Sequence, residues 1–186
     1  WMWLSSYDGN KIAAVDPSWD YEVQVEWNTA RPMDNAYFEG ILYQIPWSNN
    51  RIDLWNTNGE LIRSHDLPWR PTAIAADYAN RVLLVVNEAD WSLRVFSIDD
   101  NLREIAIIRN MRQFTADAAF RSMDFINNHY FDPGRNQEGN IWLNTLRRLW
   151  LLSIDTENWQ VEEVVMSVGR FGSHDWDGVG HDGNNL

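Results

Sequence analysis

The sequence predicts an all-β protein, a β-propeller of four-stranded antiparallel blades, and three observations carry that prediction. Apolar residues fall in short, β-branched runs such as 81–86 and 93–98, bounded by Asn, Asp, Gly and Pro. No segment keeps the apolar spacing of an amphipathic helix for three turns. The best helix candidate, 114–121, holds one or two turns at most. Finally, a unit of four such runs recurs along the chain, as blades do.

Taken in order, the head of the chain supplies three strands, near residues 1–5, 11–15 and 22–27. The next unit, 31–66, opens at Arg31-Pro-Met-Asp34 and continues with strands at 40–45, 50–55 and 59–63. Turn residues, among them Asn58-Gly59, separate them. The unit 70–109 opens at Arg70-Pro-Thr-Ala73 and repeats the pattern at 81–86, 93–98 and 102–106. The unit 121–167 opens at Arg121-Ser-Met-Asp124, with strands at 140–143, 149–154 and 159–163. Its insertion 131–139 is rich in Gly, Pro and polar residues, as surface loops are. The tail, near 172–181, supplies the strand the head lacks, so that 172–186 plus 1–27 make one blade. Closure by both termini removes an exposed sheet edge. Residues 1–186 are therefore expected to form a single ring of four blades; the rival reading is a stretch of a larger propeller or a longer chain.

Asn49-Asn-Arg-Ile-Asp-Leu-Trp-Asn-Thr-Asn-Gly59, followed by Arg70-Pro-Thr-Ala-Ile-Ala-Ala-Asp77, resembles the NHL/YVTN class of propeller repeats. That resemblance implies Asn-x-Arg-Ile on the third strand, Gly in the last turn, and a Pro-to-Asp segment on the next inner strand. Such repeats usually come in six or seven blades. Met33-Asp-Asn-Ala-Tyr37 and Asp117-Ala-Ala-Phe120 also resemble the repeat openings of four-bladed hemopexin-like domains, which carry a closing disulfide; this chain has no Cys. Neither resemblance implies a chemistry.

Composition excludes several classes. Acidic residues outnumber basic ones 27 to 15, a net charge of -12. That is the wrong sign for wrapping a nucleic-acid backbone or an anionic membrane surface. No apolar run approaches the roughly 18 residues of a membrane span. The lack of Cys removes thiolate metal sites and cysteine nucleophiles. Neither a nucleophile elbow nor a nucleotide-binding motif occurs.

Two groups of residues remain. The unit openings align Asp34, Ala73, Asp124 and Asp175, beside Arg31, Arg70, Arg121 and Arg170, at one mouth of the channel. Such a ring either ties blades together through Arg–Asp pairs or holds a hard cation such as calcium, which prefers several oxygen ligands. The polar tail offers Asp175, Asp177 and Asp182 to the same ion, or uses them in tight turns. Twelve Trp against a single Lys form the second group. Trp47, Trp69, Trp91 and Trp176 stand at strand ends or in turns, where a ring can anchor a protein, stack on a sugar, or cover a blade edge. The expected function is a non-enzymatic binding or scaffold module, extracellular, periplasmic or at the cell surface, that recognises a protein or glycan through one face. It needs no obligatory cofactor. The competing expectation is a metal-dependent lactonase-like hydrolase or a glycosidase with acids at the channel mouth.

Overall fold

The computed structural model describes residues 1–109, 111–115, 120–126, 140–145 and 148–169. Strands β1 (Met2–Ser6), β2 (Lys11–Asp16) and β3 (Glu22–Asn28) form a first sheet in the order β1-β2-β3. Strands β4 (Pro32–Phe38), β5 (Ile41–Pro46), β6 (Arg51–Asn56) and β7 (Leu61–Asp66) make the second sheet as a meander. The third repeats it with β8 (Pro71–Asp77), β9 (Val82–Asn87), β10 (Ser92–Ser97) and β11 (Arg103–Ile108). The fourth holds β12 (Phe120–Ile126), β13 (Asn140–Thr145), β14 (Arg148–Asp155) and β15 (Gln160–Gly169). All pairings are antiparallel. These are the blades of a β-propeller. The expected fourth strand of the first sheet, near 172–181, lies outside the described residues.

Burial explains the meander. β8, β9 and most of β10 are buried, whereas β3 and β7 are largely exposed. The first strand of each full sheet lies innermost and the last faces solvent. One apolar cluster fills the seam between second and third sheets, with Phe38, Tyr43, Ile45, Ile52, Leu83 and Val85. Another joins third and fourth through Leu84, Val86, Leu93, Met123, Leu143 and Leu152. Among the described residues the single α-helix is α1 (Met111–Thr115), which overlaps only the start of the expected 114–121 segment, and Phe120–Arg121 belongs to β12 instead. Spacing accounts for the shift: Met111 and Phe114, one turn apart, both pack onto the second of these clusters.

Each inner strand carries a register shift near its start, between Pro32 and Asp34, between Pro71 and Ile74, and between Phe120 and Ser122. The pairs Asn35↔Gln44, Ile74↔Val85 and Met123↔Leu143 then occupy equivalent places. Ser122 thus stands in register with Asp34 and Ala73, and Asp124 falls one rung farther along, level with Ala36 and Ala75. The bulge, invisible in a linear alignment, displaces the expected ring position.

An inner strand has one edge without a sheet partner, and its buried N–H groups still need acceptors. Asp34 supplies one. Its Oδ2 accepts from the Ile74 amide at 2.8 Å and from the Met123 amide at 3.2 Å, so a carboxylate on the second sheet holds the third and fourth. It is 8% exposed. Asp34→Ala should therefore cost about 3 kcal/mol of stability in urea unfolding. Asp34→Asn, which keeps an acceptor and loses the charge, should cost about half of that.

Candidate functional site

In a meander, alternate links emerge at the same end of the sheets. Links 7–10, 47–50, 67–70 and 88–91 share one face, together with the openings of β4 and β8. Three of the expected Trp residues meet the repeat-opening Arg31 and Arg70 there.

The pairing is systematic. The Arg31 guanidinium lies 5.7 Å from the Tyr7 ring centre, Arg70 4.2 Å from Trp47, and Arg112 5.2 Å from Trp91. In each case a cation at or before the opening of one sheet covers an aromatic ring in a turn of the preceding sheet. A fourth pair, Arg94 and Trp69, at 5.6 Å, stands on the same face. Such contacts are worth about 0.5–1 kcal/mol when exposed and more when desolvated.

Further bonds fix the positions. The Arg31 amide donates to Asn10 Oδ1 at 3.0 Å, and the Trp47 amide donates to the Arg31 carbonyl at 2.9 Å. Arg70 Nε donates to the Trp47 carbonyl at 3.1 Å, while its Nη1 pairs with Glu88 at 3.0 Å. Arg94 is held by Asp90 at 2.8 Å and by Ser92 Oγ, also at 2.8 Å. Tyr7 meets Trp47 edge-on at 5.4 Å, which links the first two pairs into one run. Trp69 packs on the core cluster of the second and third sheets, 6.2 Å from Phe96, and Trp91 on the cluster of the third and fourth. Trp47, Trp69 and Trp91 are half-buried. Trp69 and Trp91 thus rest on apolar clusters on their inner sides.

The opposite face is held by ions. Arg81 bridges Glu39 of the second sheet at 2.7 Å and Asp99 of the third at 2.8 Å, and lies over Phe38. Its guanidinium holds both carboxyl groups below the usual carboxylate range. All three side chains are well exposed, so the network adds little stability at ordinary salt.

Of the expected metal positions, Asp34 and Asp124 fall among the described residues. Asp34 is buried on the axis and bonded to backbone amides rather than to the repeat-opening Arg31 or Arg70, whose guanidinium groups lie over Tyr7 and Trp47. Asp124 lies on β12, one rung from the Asp34 level. Asp175, Trp176, Asp177 and Asp182 lie outside the described residues. Among the described residues, no group of three or more His, Asp or Glu is placed to hold a metal ion, and no helix is long and apolar enough to cross a membrane. Sequence reasoning singled out the Trp residues and the opening Arg residues separately. It missed that they pair, and it missed Tyr7, Arg94 and Arg112.

No protein-family model matches the chain, and no curated protein sequence matches it. Solved structures do. Glutaminyl cyclase of Myxococcus xanthus superposes with a TM-score of 0.64 at 13% identity over 87% of this chain and 64% of its own. Hydrazine synthase of Kuenenia stuttgartiensis gives 0.58 at 13% identity over 90% of this chain and 45% of its own. Sqt1 of Saccharomyces cerevisiae gives 0.54 at 8% identity over 87% and 44%. The chain spans less than two thirds of each. These likenesses show the β-propeller fold, and at such identities the fold alone.

The Arg70–Trp47 pair gives a direct test of inter-blade coupling. In a double-mutant cycle with Arg70→Ala and Trp47→Ala, the interaction energy should be about 1 kcal/mol by chemical denaturation. Additive single-mutant losses would show that the two side chains act independently.

Proposed function

We propose that this chain is a non-enzymatic binding module that recognises a protein partner through the face carrying Tyr7, Trp47, Trp69 and Trp91, within a secreted or cell-surface protein. One observation carries the reading: four aromatic–guanidinium pairs from successive blades stand on one face, with Trp69 and Trp91 resting on the apolar clusters beneath. Trp, Tyr and Arg dominate binding energy at protein interfaces, and side chains already ordered lose little entropy when a partner docks. Protein is favoured over glycan because a guanidinium already lies over each ring, on a flat surface that a sugar would use. The extracytoplasmic setting is part of the proposal, and the acidity, the lack of Cys and the single Lys are compatible with it.

We also read the repeats as NHL/YVTN-type. In support, Arg51-Ile-Asp-Leu falls on the third strand of its blade, and Pro71–Asp77 is the next inner strand. The buried Asp77 closes that strand by accepting from the Ala79 and Asn80 amides at 3.0 and 3.1 Å.

Site-specific photocrosslinking tests the functional reading. A photoreactive residue at exposed Ser48, Pro68 or Ala89 should yield protein adducts in the source cells. The same residue at Asn58 or Asn101, on the opposite face, should not. With the partner in hand, Trp69→Ala should weaken binding by about 2 kcal/mol. Adducts confined to the opposite face, or hydrolysis of a lactone or glycoside panel by the unmodified protein, would overturn the reading.

A further inference from the structure

We infer that the seam between the first and second sheets holds a buried site for an oxygen acceptor, filled by internal water, centred on Gln44. The register places Asn35, Gln44, Asp53 and Ser64 in one row across all four strands of the second sheet, on the face opposite the apolar cluster it shares with the third. A polar row spanning a buried blade face is costly unless every member is bonded. Its ends are. Asn35 Nδ2 donates to Ser5 Oγ of the first sheet at 2.7 Å, while Asp53 pairs with Arg51 at 2.9 Å and accepts from Ser64 Oγ at 2.5 Å. The middle is not: Gln44 is 0% exposed, and among the described residues neither its Oε1 nor its Nε2 meets a protein partner.

Two more buried polar atoms belong to the same seam. Trp55 is the diagonal neighbour of Gln44 on that face of the second sheet, and its ring lies 5.9 Å from that of Trp27 of the first. The indole N–H of each is buried without a protein acceptor. Gly59 shows how closely the Trp27 ring is held, since a Cβ there would come within 2.9 Å of it. The seam thus contributes the donors of two indoles and one amide against a single amide oxygen. That excess calls for an acceptor that can also donate to Gln44 Oε1, and water does both. The corresponding place in the third sheet is taken by the buried Val85, a member of the apolar cluster between the second and third sheets.

Water contacts of the Trp indoles, read by NMR on protein labelled at Trp nitrogen, test the inference. Trp27 and Trp55 Nε1–H should show cross-peaks to long-lived water, and Gln44→Leu should abolish at least one of them and lower Tm by about 5 °C. If Gln44→Leu does not fold, Trp55→Phe keeps a ring in place, removes one donor, and should leave the Trp27 cross-peak. Absence of water cross-peaks at both indoles of the unmodified protein would overturn the proposal. A Gln44→Leu protein that melts higher would do so too, because that is the behaviour of an amide buried dry.

Discussion

The Asp34 carboxylate is the interaction on which the arrangement of blades depends. Sheets packed around an axis present the unpaired edges of their inner strands to one another, in a space where water is scarce. An apolar residue there would leave the Ile74 and Met123 amides without partners. A charged acceptor on a third strand satisfies both, and in doing so fixes three sheets relative to one another. Such a bond to a carboxylate is shorter and stronger than one between neutral groups. Its directionality sets how the apolar clusters meet, which hydrophobic burial alone does not.

Around this centre the two faces are held by different chemistry. On one, guanidinium groups cover aromatic rings from blade to blade, a contact that tolerates partial exposure and salt. On the other, Arg81 spans two blades through exposed carboxylates, a contact that salt screens. The ring contacts of the aromatic face are thereby less sensitive to salt than the exposed ion pairs of the opposite one. The seam behind Gln44 departs from both, since it buries side-chain amide and indole groups that have no partner among the described residues.

Much of the fold was legible because a strand declares itself through period-two burial, and β4 shows it plainly with alternate residues Pro32, Asp34, Ala36 and Phe38 buried. Repetition of the unit then placed the sheets in order. The site was legible only in parts. Asp34 stood out as a repeat-opening carboxylate, yet a backbone amide acceptor and a metal ligand look alike in sequence. Asp124 was aligned with it because a bulge leaves no compositional trace. Arg112 was missed because it reaches Trp91 from α1 rather than from a strand opening. Gln44 gave no signal by itself. The row Asn35, Gln44, Asp53 and Ser64 emerges only once strand register is known.

Native-state hydrogen exchange at the Ile74 and Met123 amides tests the central constraint most directly. If the Asp34 carboxylate holds three blades together, both amides exchange only through global unfolding, and both lose that protection together in Asp34→Ala while the β9–β10 amides keep theirs. Full protection of Ile74 and Met123 in Asp34→Ala would contradict the account, because the sheets would then be held in place without it.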